Sequence, residues 1–153
     1  MATKQHSTPW AWDFFQRHVD DDAERSVPAL NFLEACPDKV QAKLLAVVEA
    51  VAEAPPPAFS GGGKWEAMHD EMSGIYEVRV DFNAFHYRLF CVLDRDEKAK
   101  ELGANTLIVV DGERKPYRTT IPKKRYAEIR ALADEYLRRV PRSICDDEEE
   151  EGG

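Results

Sequence analysis

Two arginines near the middle of the chain have the type and spacing to bind an anion together. Apolar and polar residues alternate twice within residues 76–93, and this period of two predicts a β-hairpin. If the hairpin loop has two or four residues, Arg79 lies directly opposite Arg88. Like charges in that position destabilise a sheet, but two guanidinium forks match the oxygens of a phosphate. The pair indicates either an anion site or a solvated face on which Glu77 and Asp81 neutralise the arginines.

The same register places a histidine opposite a carboxylate. Because an imidazole titrates near neutral pH, His86 is the best candidate for a general acid or base, and Asp81 could orient its ring. A loop of three or five residues would remove this pairing. The other histidines, His6, His18 and His69, show no metal-ligand spacing, so neither a metal nor another cofactor is expected.

A second group of cations follows the hairpin. Residues 114–142 carry ten Lys/Arg and three Asp/Glu, a net charge of +7. Cations in the first turn of a helix oppose the positive end of its dipole, so their presence there favours a docked polyanion. The alternative is an ordinary solubilising basic loop. The cations nearest the start of the last predicted helix are Arg114, Lys115, Arg118, Lys123, Lys124 and Arg125.

The overall charge conceals this basic region. The whole chain carries −8, which by itself argues against a nucleic-acid partner. Residues 146–153, DDEEEEGG, account for −6 of that charge and leave −2 for the rest. We expect one domain over residues 1–145 and a disordered acidic tail over 146–153. Three scattered cysteines and a polar first segment predict a cytoplasmic protein without a disulfide framework.

The elements that position these side chains follow from changes of period along the chain. We predict a strand over 10–17, a short helix after Pro28, a helix over 38–54, a short strand over 107–110 and a final helix over 121–140. Asp38 and the pair Thr119-Thr120 could cap the two longer helices, and Asp111-Gly112 should end the last strand. This order predicts an α+β domain, with a compact antiparallel sheet, an N-terminal helical hairpin on one face and a C-terminal helix.

The hairpin motifs resemble the RelE/ParE toxin superfamily, specifically its HigB-like, phage-derived branch. The resemblance covers about residues 10–140. It rests on Trp65, on Ile75-Tyr76-Glu77-Val78-Arg79, on Tyr87-Arg88-Leu89-Phe90, on the basic segment 114–122 and on Glu128-Ile129. The chain departs from the family pattern at Glu113, where an aromatic residue is usual, and at Pro116, where a second lysine is usual.

The resemblance implies a cationic cleft on the sheet face opposite the two helices. It also implies the toxin of a type II toxin–antitoxin pair, whose antitoxin would be a separate small helix-turn-helix protein. RelE-like and HigB-like members cleave mRNA, usually on the translating ribosome, without a metal or cofactor. By resemblance, Arg79 and Arg88 correspond to arginines of the active cleft, and Lys115 and Arg118 to its basic segment.

Metal-free cleavage of RNA assigns roles to these side chains. The ribose 2′-OH attacks the adjacent phosphorus, so a base, cations for the phosphorane and an acid for the leaving oxygen are needed. We expect Arg79 and Arg88 to stabilise the phosphorane, and Lys115, Arg114 and Arg118 to hold neighbouring phosphates. We expect His86 to act as the acid or base, with Tyr117 as a weaker candidate for the acid. Two other functions stay open: a ParE-like inhibitor of DNA gyrase without nuclease activity, and a phage-derived module that only binds RNA or protein.

Overall fold

Five strands form one mixed sheet in the order β1-β5-β4-β3-β2. The computed structural model describes residues 9–55, 61–96 and 105–145. Two single 3-10 turns, Gly61–Gly63 and Asp70–Met72, flank β2. The elements are β1 (Ala11–Phe14), α1 (Pro28–Glu34), α2 (Asp38–Glu53), β2 (Trp65–Ala67), β3 (Tyr76–Phe82), β4 (Phe85–Asp94), β5 (Thr106–Pro116) and α3 (Lys123–Arg138).

The predicted hairpin and its register are confirmed. Asn83 and Ala84 form a two-residue loop, and both have positive φ angles, as a tight hairpin turn requires. Arg79 therefore pairs with Arg88, and the residues of each strand alternate between the two faces of the sheet.

The two N-terminal helices cover one face of the sheet. Helix α2 does so with an apolar stripe formed by Val40, Leu44, Val47, Val48 and Val51. The stripe residues interdigitate with the apolar side chains of β3, β4 and β5 that point toward them. Burial of this helical face supplies the main hydrophobic stabilisation of the sheet's central strands. The fully buried residues of this core include Leu33, Val40, Leu44, Val48, Val51, Val78, Leu89, Cys91, Leu107 and Val109.

Helix α3 covers only half of the opposite face. Its apolar side chains pack over the end of the sheet where β1 and the first half of β5 lie. The other half, at the β3–β4 loop, carries charged residues of β3 and β4. The core beneath α3 includes Phe15, Ile75, Phe90, Val92, Ile108, Val110, Ile129, Ala133 and Tyr136.

The predicted end of the strand that begins near residue 107 is wrong. Strand β5 continues through Asp111 and Gly112 to Pro116, and it pairs with β4 along its whole length. Gly112 serves helix packing here instead of a turn, because a Cβ at this position would lie 2.2 Å from the ring of Phe32 on α1. Arg114 and Lys115 therefore lie on a strand and not in a loop.

Three smaller expectations also need correction. The sheet is mixed rather than wholly antiparallel, because β1 pairs in parallel with β5. A fifth strand, β2, pairs with β3, and its Trp65 is buried and stacks on Tyr76. Neither long helix has a side-chain cap: Pro37 and Pro122 occupy the N-cap positions, Asp38 lies inside the first turn of α2, and the Thr119 hydroxyl donates to the Pro116 carbonyl.

One expectation falls on a part of the chain that the structure does not describe. The acidic tail 146–153 lies outside the described residues, as does 97–104 of the polar connection between β4 and β5. Among the described residues, no helix is long and apolar enough to cross a membrane.

Candidate RNA-cleavage site

The charged half of the α3 face places Arg79 and Arg88 side by side on adjacent strands. The guanidinium groups of the two arginines lie near the same carboxylate. The Glu77 carboxylate lies 3.4 Å from Nε of Arg79 and 3.9 Å from Nε of Arg88. Within the described part of the chain, Nε of Arg79 is buried without a hydrogen-bond partner. The two cations are thus only loosely compensated, and unused donors remain on their forks.

Arg88 is the more deeply placed of the two arginines. Its side chain is 7% exposed, against 39% for Arg79. Its NH1 group donates to the Tyr87 carbonyl at 3.1 Å, and its nearest carboxylate, that of Asp81, lies 3.7 Å away. Burial lowers the pKa of Arg88, while the negative charge of Glu77 opposes that effect. A guanidinium held this way gains more from an added anion than a solvated one does.

His86 and Asp81 form the cross-strand pair that the register predicts. Nδ1 of His86 lies 2.6 Å from Oδ1 of Asp81, and the hydrogen bond from His86 holds the pKa of Asp81 below its usual range. A carboxylate at Nδ1 favours the tautomer with its proton on Nδ1 and leaves Nε2 as an acceptor. The ring of Tyr117 packs against the imidazole at 4.5 Å between centroids. The pair therefore has the orientation that a general base needs.

Strand β5 adds one more cation to this face. Lys115 lies directly opposite His86 on the neighbouring strand, and Glu113 lies opposite Arg88. Arg114 points to the other face, where its guanidinium stacks over the ring of Phe85 at 4.4 Å. Because β5 is extended here, Arg114 and Lys115 point to opposite faces of the sheet, although the sequence places them in one cluster.

The remaining cations of the predicted cluster lie around the start of α3. Lys123 and Lys124 are exposed in its first turn, and Arg118 is exposed in the turn after β5. Arg125 instead points inward and contacts three carboxylates, at 3.0 Å in Asp111, 2.7 Å in Glu113 and 3.5 Å in Glu128. Its donors are therefore used within the protein.

Sequence reasoning missed one residue of this face. The spacing of Tyr126 fits the apolar stripe that α3 turns toward the sheet, and its ring does contact Phe90 edge-on. Burial raises the pKa of its hydroxyl, with a further rise from the charge of Glu77 and an opposing effect from Arg88 and Arg79. The hydroxyl of Tyr126 is therefore near enough to the arginine pair to interact with its charge. The signal available in the sequence is that Tyr126 directly follows the basic residues 123–125, at the N-terminal end of the stripe.

A broad groove of about 1010 Å³ opens beside these side chains. It extends from the arginine pair around the outer edge of β3 to helix α2. One wall is formed by α2 and another by the glycine-rich turn before β2. The groove is lined by Lys43, Ala46, Val47, Ala50, Gly62, Gly63, Lys64, Arg79, Val80, Asp81, His86 and Arg88.

The fold and site define a small α+β protein with a cationic, histidine-containing face beside a half-covered sheet. Residues 31–130 match the family described as "Phage derived protein Gp49-like (DUF891)". The chain belongs to this family, which confirms the phage-derived branch of the RelE/ParE superfamily that the hairpin motifs predict.

Similarity to other known proteins is more distant. One solved structure, the toxin–antitoxin complex RelBE2 from Mycobacterium tuberculosis, contains a chain that is 13% identical. The match covers 73% of this chain and 98% of that chain, with a TM-score of 0.44. The family assignment therefore rests on residues 31–130 and not on this superposition. No curated protein matches the chain.

Proposed function

We propose that this chain is the toxin of a type II toxin–antitoxin pair and that it cleaves mRNA in the cytoplasm. The observation that carries the proposal is Arg88, a nearly buried guanidinium with no carboxylate closer than 3.7 Å among the described residues. It lies next to Arg79 and to the ordered pair of His86 and Asp81. A phosphate flanked by a base fits this arrangement, and membership of a phage-derived family of the RelE/ParE superfamily supports an RNA substrate.

The proposed reaction is an in-line transesterification. Nε2 of His86 takes the proton of the ribose 2′-OH, and the 2′-oxygen forms a bond to the adjacent phosphorus. Arg79 and Arg88 stabilise the added negative charge of the phosphorane. The bond from phosphorus to the 5′-oxygen then breaks, and the ammonium of Lys115 gives that oxygen a proton. The products are a 2′,3′-cyclic phosphate and a 5′-hydroxyl, so protons and electron pairs balance.

The cations outside this centre would hold the flanking nucleotides. Arg118, Lys123 and Lys124 are exposed and close to the end of β5, so they can contact phosphates without desolvation. Arg114 faces the α1 side, and Arg125 is held by carboxylates. Of the six cations that the sequence grouped, we therefore assign these two to the protein's own structure.

Induced expression tests this proposal and separates it from the alternatives. The chain is expressed with and without the gene next to its own, and growth, mRNA integrity and a DNA-damage reporter are scored. Growth arrest with mRNA fragmentation, relieved by the neighbouring gene, is the expected result. Arrest with DNA damage and intact mRNA would identify a gyrase inhibitor. Normal growth of cells containing the folded protein would indicate a non-toxic binding module.

The site assignment has its own control. An Arg88→Ala protein should lose mRNA cleavage by about a hundredfold or more, the scale expected when one stabiliser of a charged transition state is removed. Far-UV circular dichroism should show an unchanged fold. A well-folded Arg88→Ala protein with full toxicity would exclude this site.

A further inference from the structure

Glu113 is well placed to neutralise Arg88, yet the two side chains do not pair. Glu113 lies directly opposite Arg88 on the neighbouring strand, so both side chains extend from the same face of the sheet. The Cβ atoms of opposite residues are about 5 Å apart, and opposite charges in that position attract each other. Among the residues that the structure describes, Asp81 and Glu77 form the ion pairs of Arg88, at 3.7 Å and 3.9 Å, and Glu113 forms none with it. Another contact therefore directs the Glu113 carboxylate away from Arg88.

That contact is with Arg125 in the first turn of α3. Nε of Arg125 lies 2.7 Å from Oε1 of Glu113. The NH2 group of Arg125 donates to the Gly112 carbonyl at 2.9 Å and lies 3.0 Å from Oδ2 of Asp111. The Arg125 and Glu113 side chains are 24% and 33% exposed, so their ion pair is partly withdrawn from water and is stronger than a fully solvated pair. The guanidinium therefore holds the Glu113 carboxylate toward α3.

Arg88 would attract a released Glu113 carboxylate strongly. The Arg88 side chain is 7% exposed, so its charge is poorly solvated. Because the two residues already lie opposite each other, rotation about the side-chain bonds of Glu113 is enough to bring the charged groups together, without a change in the backbone. The resulting pair would occupy the guanidinium donors that a phosphate needs.

We propose that Arg125 is a positioning residue of the anion site, which holds Glu113 toward α3 and thereby leaves Arg88 available to a phosphate. Arg125 acts through Glu113 and not by contact with the phosphate, since its own donors are used by Asp111, Gly112 and Glu113. That the phosphate belongs to RNA rests on the proposed function. The availability of Arg88 does not depend on cleavage and can be measured with a phosphate that is not a substrate.

The test measures the binding of inorganic phosphate by NMR titration of the full-length ¹⁵N-labelled protein. Shifts of the Arg79 and Arg88 backbone amide signals report binding at the arginine pair and give its dissociation constant. Arg125→Met should weaken this binding by about tenfold or more, the scale measured for close charge pairs. Adding Glu113→Gln to Arg125→Met should restore the parent affinity, because a neutral amide does not compete with phosphate for Arg88.

Two matched double variants separate Glu113 from the other carboxylates that contact Arg125. Asp111→Asn removes a buried carboxylate that lies opposite Phe90, and Glu128→Gln removes an exposed one on α3. Combined with Arg125→Met, neither should restore phosphate binding.

The Asp111→Asn background also guards against a folding defect. It removes the buried charge that Arg125 compensates, so it should fold even where Arg125→Met alone does not. In that case Arg125→Met with Asp111→Asn is compared with the same protein carrying Glu113→Gln as well, and the added change should strengthen phosphate binding by about tenfold.

The contrary results are distinct. Equal phosphate affinities of Arg125→Met and the parent would overturn this proposal and leave the anion site standing. A loss that Glu113→Gln does not restore, or that Asp111→Asn or Glu128→Gln restores equally well, would overturn the assigned link through Glu113. A parent protein whose Arg79 and Arg88 signals do not respond to phosphate would overturn this proposal together with the anion site of the proposed function.

Discussion

A largely buried arginine side chain lies at each end of strand β4, and the two are held in opposite ways. At its C-terminal end, Arg142 is 6% exposed and Nε lies 2.9 Å from the carboxylate of Asp94. At its N-terminal end, Arg88 is 7% exposed, with no carboxylate within 3.6 Å among the described residues. Burial alone would lower the pKa of both guanidiniums. Asp94 reverses that effect at Arg142, whose pKa is raised, and the pKa of Arg88 stays lowered.

The difference separates an arginine that stabilises the fold from one that is available to a ligand. Asp94 also accepts a hydrogen bond from the buried hydroxyl of Tyr136, and Arg142 donates to the carbonyls of Leu137 and Arg139. That cluster fixes the segment after α3 against the end of β4. The loosely compensated Arg88 has no such function, which is why we assign it to the anion site.

Loss of Arg142 should have the largest effect on stability. Arg142→Leu removes the guanidinium that lies 2.9 Å from the buried carboxylate of Asp94, and breaking a buried ion pair this way costs about 3–5 kcal/mol. Urea denaturation measures the free energy of unfolding. Arg138→Leu is the control, since that side chain is 62% exposed and its nearest carboxylate is 4.0 Å away. Equal unfolding free energies for the two variants would contradict a structural function of Arg142.

Loss of Arg125 should come next, with a defect that depends on pH. Burial raises the pKa of Asp111, and Arg125 opposes the rise. A raised carboxyl pKa means that the folded protein binds the proton more tightly than the unfolded chain does. This proton binding contributes its full stability below the pKa of the unfolded chain, and the contribution is lost as pH rises through the pKa of the folded protein. Arg125→Met should raise the folded pKa further and destabilise the protein by about 1–3 kcal/mol at pH 7.

The same measurement at lower pH checks that cause. The stability difference between Arg125→Met and the parent protein should be smaller at pH 5 than at pH 7, because Asp111 can then be neutral in the fold. A difference that is independent of pH would mean that Arg125 acts through Glu113 or Glu128 instead.

Substitution of Gly112 should have a moderate effect. Gly112→Ala forces the ring of Phe32 to move, and overpacking of this kind costs about 1–3 kcal/mol. Combining it with Phe32→Leu should recover part of the loss in a double-mutant cycle. Purely additive losses would show that the close approach of α1 to β5 is not the cause.

Loss of Arg88 should have the smallest effect on stability. Arg88→Gln removes a buried charge whose partners are distant, so the free energy of unfolding should change by less than about 1 kcal/mol. Thermal denaturation of Arg88→Gln and of Arg142→Gln, measured side by side, compares the two losses of stability directly. A loss at Arg88 as large as that at Arg142 would remove the distinction between the two ends of β4.

Local patterns in the sequence predict most of the sheet and the part of the site that lies on the β3–β4 hairpin. Strict alternation in 76–93 predicts the hairpin, its register and therefore the pairs formed by Arg79 and by His86. The length of β5 could not be predicted, because Asp111-Gly112 is an ordinary turn signal. Only the packing of Phe32 against Gly112 explains the glycine within a strand.

The arrangement of the basic residues could not be predicted for a related reason. The run of basic residues is visible in the sequence, but the partners of Arg125 come from a strand whose extent was not predicted. Asp111 and Glu113 become its neighbours only when β5 pairs with β4 as far as Pro116. Which cations face a substrate depends on contacts between residues distant in sequence, and composition does not reveal these.

The most direct test of the central claim is mRNA cleavage in a cell-free translation reaction with one defined mRNA. The parent protein is compared with Arg88→Gln and with the exposed control Arg138→Gln. All three are used at equal concentration and at a temperature below their measured melting temperatures. The parent and Arg138→Gln should cut the mRNA at the same sites, leaving 2′,3′-cyclic phosphate ends, and Arg88→Gln should leave it intact. Cleavage by Arg88→Gln at the parent rate would contradict the assignment of this end of β4 to the anion site.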